Sequence, residues 1–128
     1  MRVKYISWLN REEIEANPNC CYLFGDNLLQ KGFGGQAKEC RGLPNTIGIP
    51  TKKYPSMDEN AFFTDTDFFD NIRAIDLAFS KIPETAIILY IPITGLGTGF
   101  AQLEERAPLT LKHIQSRIKD LFSKNKNL

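Results

Sequence analysis

The chain has 128 residues, of which 42% are hydrophobic and 24% charged, and a net charge of +1. That length suits one domain, residues 1–128, which can bury a core without disulfides or metals, and the composition argues against native disorder. The near-neutral balance provides no basic field of the kind that drives nonspecific nucleic-acid binding, and no apolar run approaches membrane-spanning length.

Val3 to Trp8 alternates loosely between apolar and polar residues and predicts a first strand. Asn10, with Glu13 three residues later, resembles a capping box that opens a short helix through Ala16, and Asn17-Pro18-Asn19 breaks it. Cys20 to Phe24 is a second strand. It empties into glycine: Gly25-Asp26-Asn27, then Gly32-Phe33-Gly34-Gly35. Gln36 to Arg41 predicts a short helix stopped by Gly42, so the glycine cluster precedes a helix N-terminus, where the dipole and free N–H groups favour an anion.

Thr46 to Ile49 predicts a third strand, followed by a polar loop from Pro50 to about Asn60 that carries Thr51, Lys52 and Lys53. Phe68, Ile72, Ile75, Phe79 and Ile82 recur at helical spacing, with Thr66 and Asp67 at the helix start and Pro83 beyond its end. Ala86 to Ile91 is an unbroken apolar run, too short for an ordinary helix, and predicts a central strand buried on both faces. It leads straight into Pro92-Ile93-Thr94-Gly95-Leu96-Gly97-Thr98-Gly99-Phe100. After a turn from Leu103 to Arg106, Leu111, Ile114, Ile118 and Leu121 mark the core face of a final helix, with the tail after Phe122 expected to fray.

Strands alternating with helices predict a single three-layer α/β/α sandwich with a mostly parallel central sheet. Both glycine loops then fall at carboxyl ends of strands, the usual place for a ligand in α/β proteins, where glycines let backbone amides approach a phosphate. The plainer reading of each loop is a tight strand-to-helix turn. Cys20, Cys21 and Cys40 form neither a disulfide framework nor a zinc-ligand spacing, and MRVKYISWLN lacks the apolar core of a secretion signal. A reducing, cytoplasmic compartment is the expectation. His113 stands far in sequence from any carboxylate cluster and reads as a helix-surface or half-buried imidazole. Asp58-Glu59 and Asp65-Asp67-Asp70 read as solvated loop and helix-start charges.

The order of these motifs resembles a macrodomain, especially the compact branch that includes the terminal ADP-ribose glycohydrolase. The resemblance is best from Thr46 to Phe122, and Asp26 to Ala37 is similar to the family's first binding loop. It implies a cleft for ADP-ribose or a related NAD-derived nucleotide, cyclic and signalling forms included, with the late loop around the diphosphate and the early loop near the distal ribose. The implied binding residues are Gly25, Asp26, Asn27, Gly32, Phe33, Gly34, Gly35, Gln36, Thr51, Lys52, Thr94, Gly95, Leu96, Gly97, Thr98, Gly99 and Phe100.

Two positions depart from the family pattern. Ala101 stands where the glycohydrolase branch has a catalytic aspartate, and Ser7-Trp8 falls where macrodomains carry a Gly-Asp pair whose aspartate reads adenine; Trp8 reads as core or rim packing. The expectation is therefore a reader or sequestering protein with a small-molecule nucleotide partner, no cofactor and no metal. The alternative is an ADP-ribosyl glycohydrolase or phosphoesterase-type enzyme, with catalytic candidates Lys52, Lys53 and Asp26 aided by Glu104 or Glu105. A nucleic-acid module would rest on Lys52-Lys53 and Lys124 to Lys126, clusters too short and too poor in interleaved aromatics to favour it.

Overall fold

A computed structural model describes residues 1–126, with the backbone alone described at 125 and 126. Four strands form one parallel sheet: β1 (Arg2–Ile6), β2 (Cys21–Asn27), β3 (Thr46–Lys52) and β4 (Ile88–Pro92), in the order β1-β4-β2-β3. The helices are α1 (Arg11–Ala16), α2 (Ala37–Cys40), α3 (Phe68–Phe79), α4 (Leu103–Arg106) and α5 (Pro108–Lys126). The arrangement is a three-layer α/β/α sandwich.

The alternation of β2 builds two cores. Cys21 and Leu23 face α3 and α5 in the larger cluster, with Ile49, Ile75, Phe79, Leu89, Ile91 and Ile114. Tyr22 and Phe24 face the opposite way and pack with Ile14 of α1 and Ala37 and Cys40 of α2. This second layer contains only short helices. The central strand is consequently buried on one face, through Leu89 and Ile91, and half-buried on the other, through Ile88 and Tyr90, rather than buried on both as its sequence suggested.

The capping box at α1 forms in part as read: the Asn10 side chain accepts from the Glu13 amide at 3.0 Å. Other boundaries move for identifiable reasons. β3 continues through Pro50 because it is an edge strand, where a residue without an N–H is tolerated, and a register shift opposite Asp26 and Asn27 accommodates Thr51. β2 likewise continues through Gly25-Asp26-Asn27, since β3 pairs with it there. α5 runs on past Phe122 to Lys126; of the tail expected to fray, residues 127 and 128 lie outside the described residues, as does the Lys126 side chain of the Lys124 to Lys126 cluster.

Two of the charges expected to be solvated, Asp65 and Glu59, also tie elements together. Asp65 caps α5, accepting from the amides of Leu109 and Thr110 at 2.9 and 3.1 Å. Glu59 makes a two-pronged pair with Arg106 at 2.8 and 3.1 Å, which holds its carboxyl below the usual carboxylate range. His113 meets Asp76 at 2.6 Å and joins α5 to α3, well away from the glycine loops. No described helix is long and apolar enough to cross a membrane.

Burial pushes the Cys21 thiol up to about 11 and the Cys40 thiol up to about 12, so both stay protonated at neutral pH, whereas Cys20 is partly exposed. Alkylation of the native protein at pH 8 should label Cys20 alone, with Cys21 and Cys40 reacting only after denaturation. Early labelling of Cys40, read by peptide mass spectrometry, would contradict the second core.

Candidate functional site

β2 and β4 are neighbours that separate early. They pair only through Cys21 with Leu89 and Tyr22 with Tyr90, after which β2 continues beside β3 alone. The segments that follow them leave toward opposite faces, β2 to α2 in the smaller core and β4 to α4 and α5 in the larger. This is a topological switch point, where an open α/β sheet forms a crevice at the carboxyl ends of its strands.

The crevice is a cleft of about 800 Å³, within the range of small-molecule sites. It is lined by the early loop from Lys31 to Ala37, the late loop at Thr94, Gly95 and Gly97 to Ala101, the end of β2, and a wall of Thr51, Lys52, Pro55, Ser56 and Met57. Gln36 spans the gap between the separated strands. Its Oε1 accepts from the Gly25 amide at 2.7 Å and its Nε2 donates to the Gly95 carbonyl at 3.2 Å.

The two loops treat their backbone groups unequally. Several carbonyls turn toward the protein: Gly34 accepts from Ala37, Gly97 from Leu103 and Gly99 from Gln102. Among the described residues, by contrast, the N–H groups from Gly32 to Gln36 and from Leu96 to Ala101 donate to no protein acceptor. Such runs of unspent amides suit an anion. Because α2 is one turn long, the loop amides rather than a helix dipole carry this character.

The candidate residues from the sequence divide clearly. Gly25, Asp26, Asn27, Gly32, Phe33, Gly34, Gly35, Gln36, Thr51, Lys52, Thr94, Gly95, Gly97, Thr98, Gly99 and Phe100 all line the cleft. Leu96 does not: its side chain is 2% exposed and belongs to the main core, as the buried partner of an exposed loop. Lys53 does not line it either and pairs with Asp67 at 3.5 Å, because alternation along the chain sends it away from Lys52. Trp8 is 77% exposed and lies outside the lining, so it is neither core nor rim. Glu104 and Glu105 are exposed and outside it too.

Asp26 is the one carboxylate that lines the cleft among the described residues, and it is already engaged. Arg41 reaches it from the end of α2 at 2.5 and 3.3 Å, while the same guanidinium donates to the carbonyls of Gly32 and Lys31 at 2.6 and 3.1 Å. Asp26 thus neutralises a half-buried arginine that holds the early loop in place. A buried carboxylate needs a cation, and Arg41, which no sequence pattern singled out, is the one that reaches it.

Gly48 was not singled out by sequence, yet an added Cβ there would lie 2.8 Å from Asp26 Cβ and 2.5 Å from its Oδ2. Lys52 is 9% exposed, donates to the Ser56 carbonyl, lies 4.6 Å from the centre of the Phe62 ring, and has no carboxylate partner among the described residues. Burial, with the nearby Arg106 charge, lowers its pKa from the ordinary lysine value. Phe33 and Phe100 line the mouth, each 68% exposed.

A model for the family of unknown function DUF7831 matches residues 4–117. The chain belongs to this family. The match takes in both glycine loops, Gln36, Asp26, Arg41 and Lys52, and so covers the whole cleft. No curated protein and no solved structure matches the chain.

Two variants test this geometry. Gly48→Ala should displace Asp26 from Arg41 and lower stability by about 1–3 kcal/mol in urea unfolding, the usual cost of overpacking; an unchanged midpoint would show that the pair is dispensable. Lys52 binds its proton less readily folded than unfolded, so its contribution to stability rises with pH between its lowered native value and 10.5. Against a Lys52→Met variant, the wild type should gain relative stability as the pH rises toward 10.5, and the opposite trend would contradict a desolvated lysine.

Proposed function

We propose that this protein binds ADP-ribose or a related NAD-derived nucleotide in the cleft at the switch point, as a reader or sequestering protein rather than an efficient enzyme. The observation that carries this reading is the pair of glycine loops whose unspent amides line one nucleotide-sized cleft. A diphosphate accepts from many donors at once and matches such a surface, and Lys52 adds a cation without a carboxylate counter-ion. The exposed Phe33 and Phe100 rings offer faces for a base or ribose. The macrodomain-like order of motifs, with both loops on one sheet edge, supports the same ligand class.

The lining favours binding over turnover. Ala101 is 6% exposed and has no acid–base capacity where the resembling glycohydrolases have aspartate. Asp26 is engaged by Arg41, and neither Glu104 nor Glu105 lines the cleft. The glycohydrolase or phosphoesterase alternative would need Lys52 to act without a free carboxylate beside it. Its signature would be multiple turnovers of an ADP-ribosylated substrate that Lys52→Ala abolishes.

Calorimetry with ADP-ribose, NAD and cyclic ADP-ribose tests the binding reading, and the glycines supply its controls. An added Cβ meets nothing within 4 Å at Gly34 or Gly99, whereas at Gly97, with φ +86°, it would lie 2.8 Å from Leu103 Cγ. Gly34→Val and Gly99→Val should each weaken binding at least about tenfold with little change in melting temperature, by crowding the anion. Gly97→Val should instead lower the melting temperature. Failure of all three compounds to bind below about 1 mM, where the binding free energy is only about 4 kcal/mol, would end the proposal.

A further inference from the structure

We infer that the cleft selects its ligand by the diphosphate and by stacking, and does not read the identity of the base; the inference rests on the nucleotide reading above. To tell adenine from guanine or hypoxanthine, a site must offer a fixed acceptor or donor to the differing ring edge, and discrimination is large only where a buried polar group would otherwise be left unpaired. The side chains suited to this task are already used within the chain. Both Asp26 oxygens accept from Arg41. Gln36 uses both ends of its carboxamide on Gly25 and Gly95. Asn27 accepts from the Leu29 amide at 3.1 Å and donates to the Lys31 carbonyl at 2.8 Å.

Two of the lining hydroxyls follow the same pattern: Thr51 donates to the Asp26 carbonyl at 3.0 Å and Thr98 to the Thr94 carbonyl at 2.6 Å. No buried side-chain polar atom among the described residues lacks a partner, so none waits for a base to satisfy it. Foremost among what the cleft has to spare are the two runs of amide donors, the Lys52 charge, and the exposed faces of Phe33 and Phe100. Amides and ammonium recognise negative charge. An aromatic face accepts any base, since every base has a π-face. The cleft is therefore rich in donors, without an unpaired buried side-chain acceptor among the described residues, and tolerant of the ring it stacks.

Calorimetry on the full chain with ADP-ribose and its guanosine and inosine counterparts, alongside adenosine and inorganic diphosphate, tests this directly. The three dinucleotide-type ligands should bind with dissociation constants within about threefold of one another, and adenosine at least about a hundredfold more weakly, because only stacking is left to it. Phe100→Ala should weaken all three by a common factor of about ten, the scale of one lost stacking contact. A preference above about tenfold for the adenine compound would overturn the inference while leaving the nucleotide reading intact. Binding of inorganic diphosphate with no binding of any nucleotide would overturn that reading and this inference together.

Discussion

The Gln36 carboxamide is the contact on which the cleft depends, because it bridges two strands where they stop pairing. β2 and β4 share only two residue pairs before they diverge, which leaves the Gly25 amide without a strand partner. A side-chain amide has the donor and acceptor of a peptide group, so Gln36 fills the place that a continued ladder would occupy. It binds Gly25 on one side and the Gly95 carbonyl on the other, and thereby fixes the early loop against the late one. A closed ladder would have shut the crevice; two unbridged ends would have left buried polar groups unmatched.

Around that bridge the charges are arranged asymmetrically. The negative charge at the cleft is held by Arg41, whose guanidinium spends two further donors on the loop carbonyls of Lys31 and Gly32. The Lys52 charge lies in a desolvated position with Arg106 nearby, and both cations sit over the Phe62 ring, at 4.6 and 3.7 Å from its centre. Glu59 answers Arg106 on the far side, which leaves Lys52 as the cation with a carbonyl but no carboxylate. A protein of net charge +1 can thus hold a locally positive crevice without a basic surface.

The opposite layer supplies rigidity. Asp65 caps α5, the buried Asn71 donates to Thr64 and Thr110, and His113 joins the two long helices through Asp76. These contacts tie α5, which follows the late loop and α4, to α3 and the segment before it. Leu96 and Leu103 belong to the main core, and Gly97 lies directly against Leu103.

The sequence by itself determined the alternation of strands and helices, the amphipathic faces of α3 and α5, and both glycine loops, because these follow from local periodicity and from what glycine permits. It also placed the loops at strand ends, and hence on one sheet edge. Tertiary structure decided the rest. That β2 and β4 separate, that Gln36 closes the gap, that Asp26 belongs to Arg41, and that Gly48 must lack a side chain beside it are all consequences of pairing between residues distant in sequence. The direction of Lys53, the exposure of Trp8 and the roles of Asp65 and Glu59 were hidden for the same reason. A charged or aromatic side chain takes its role from the partner within reach, and no local pattern in the chain says which partner that will be.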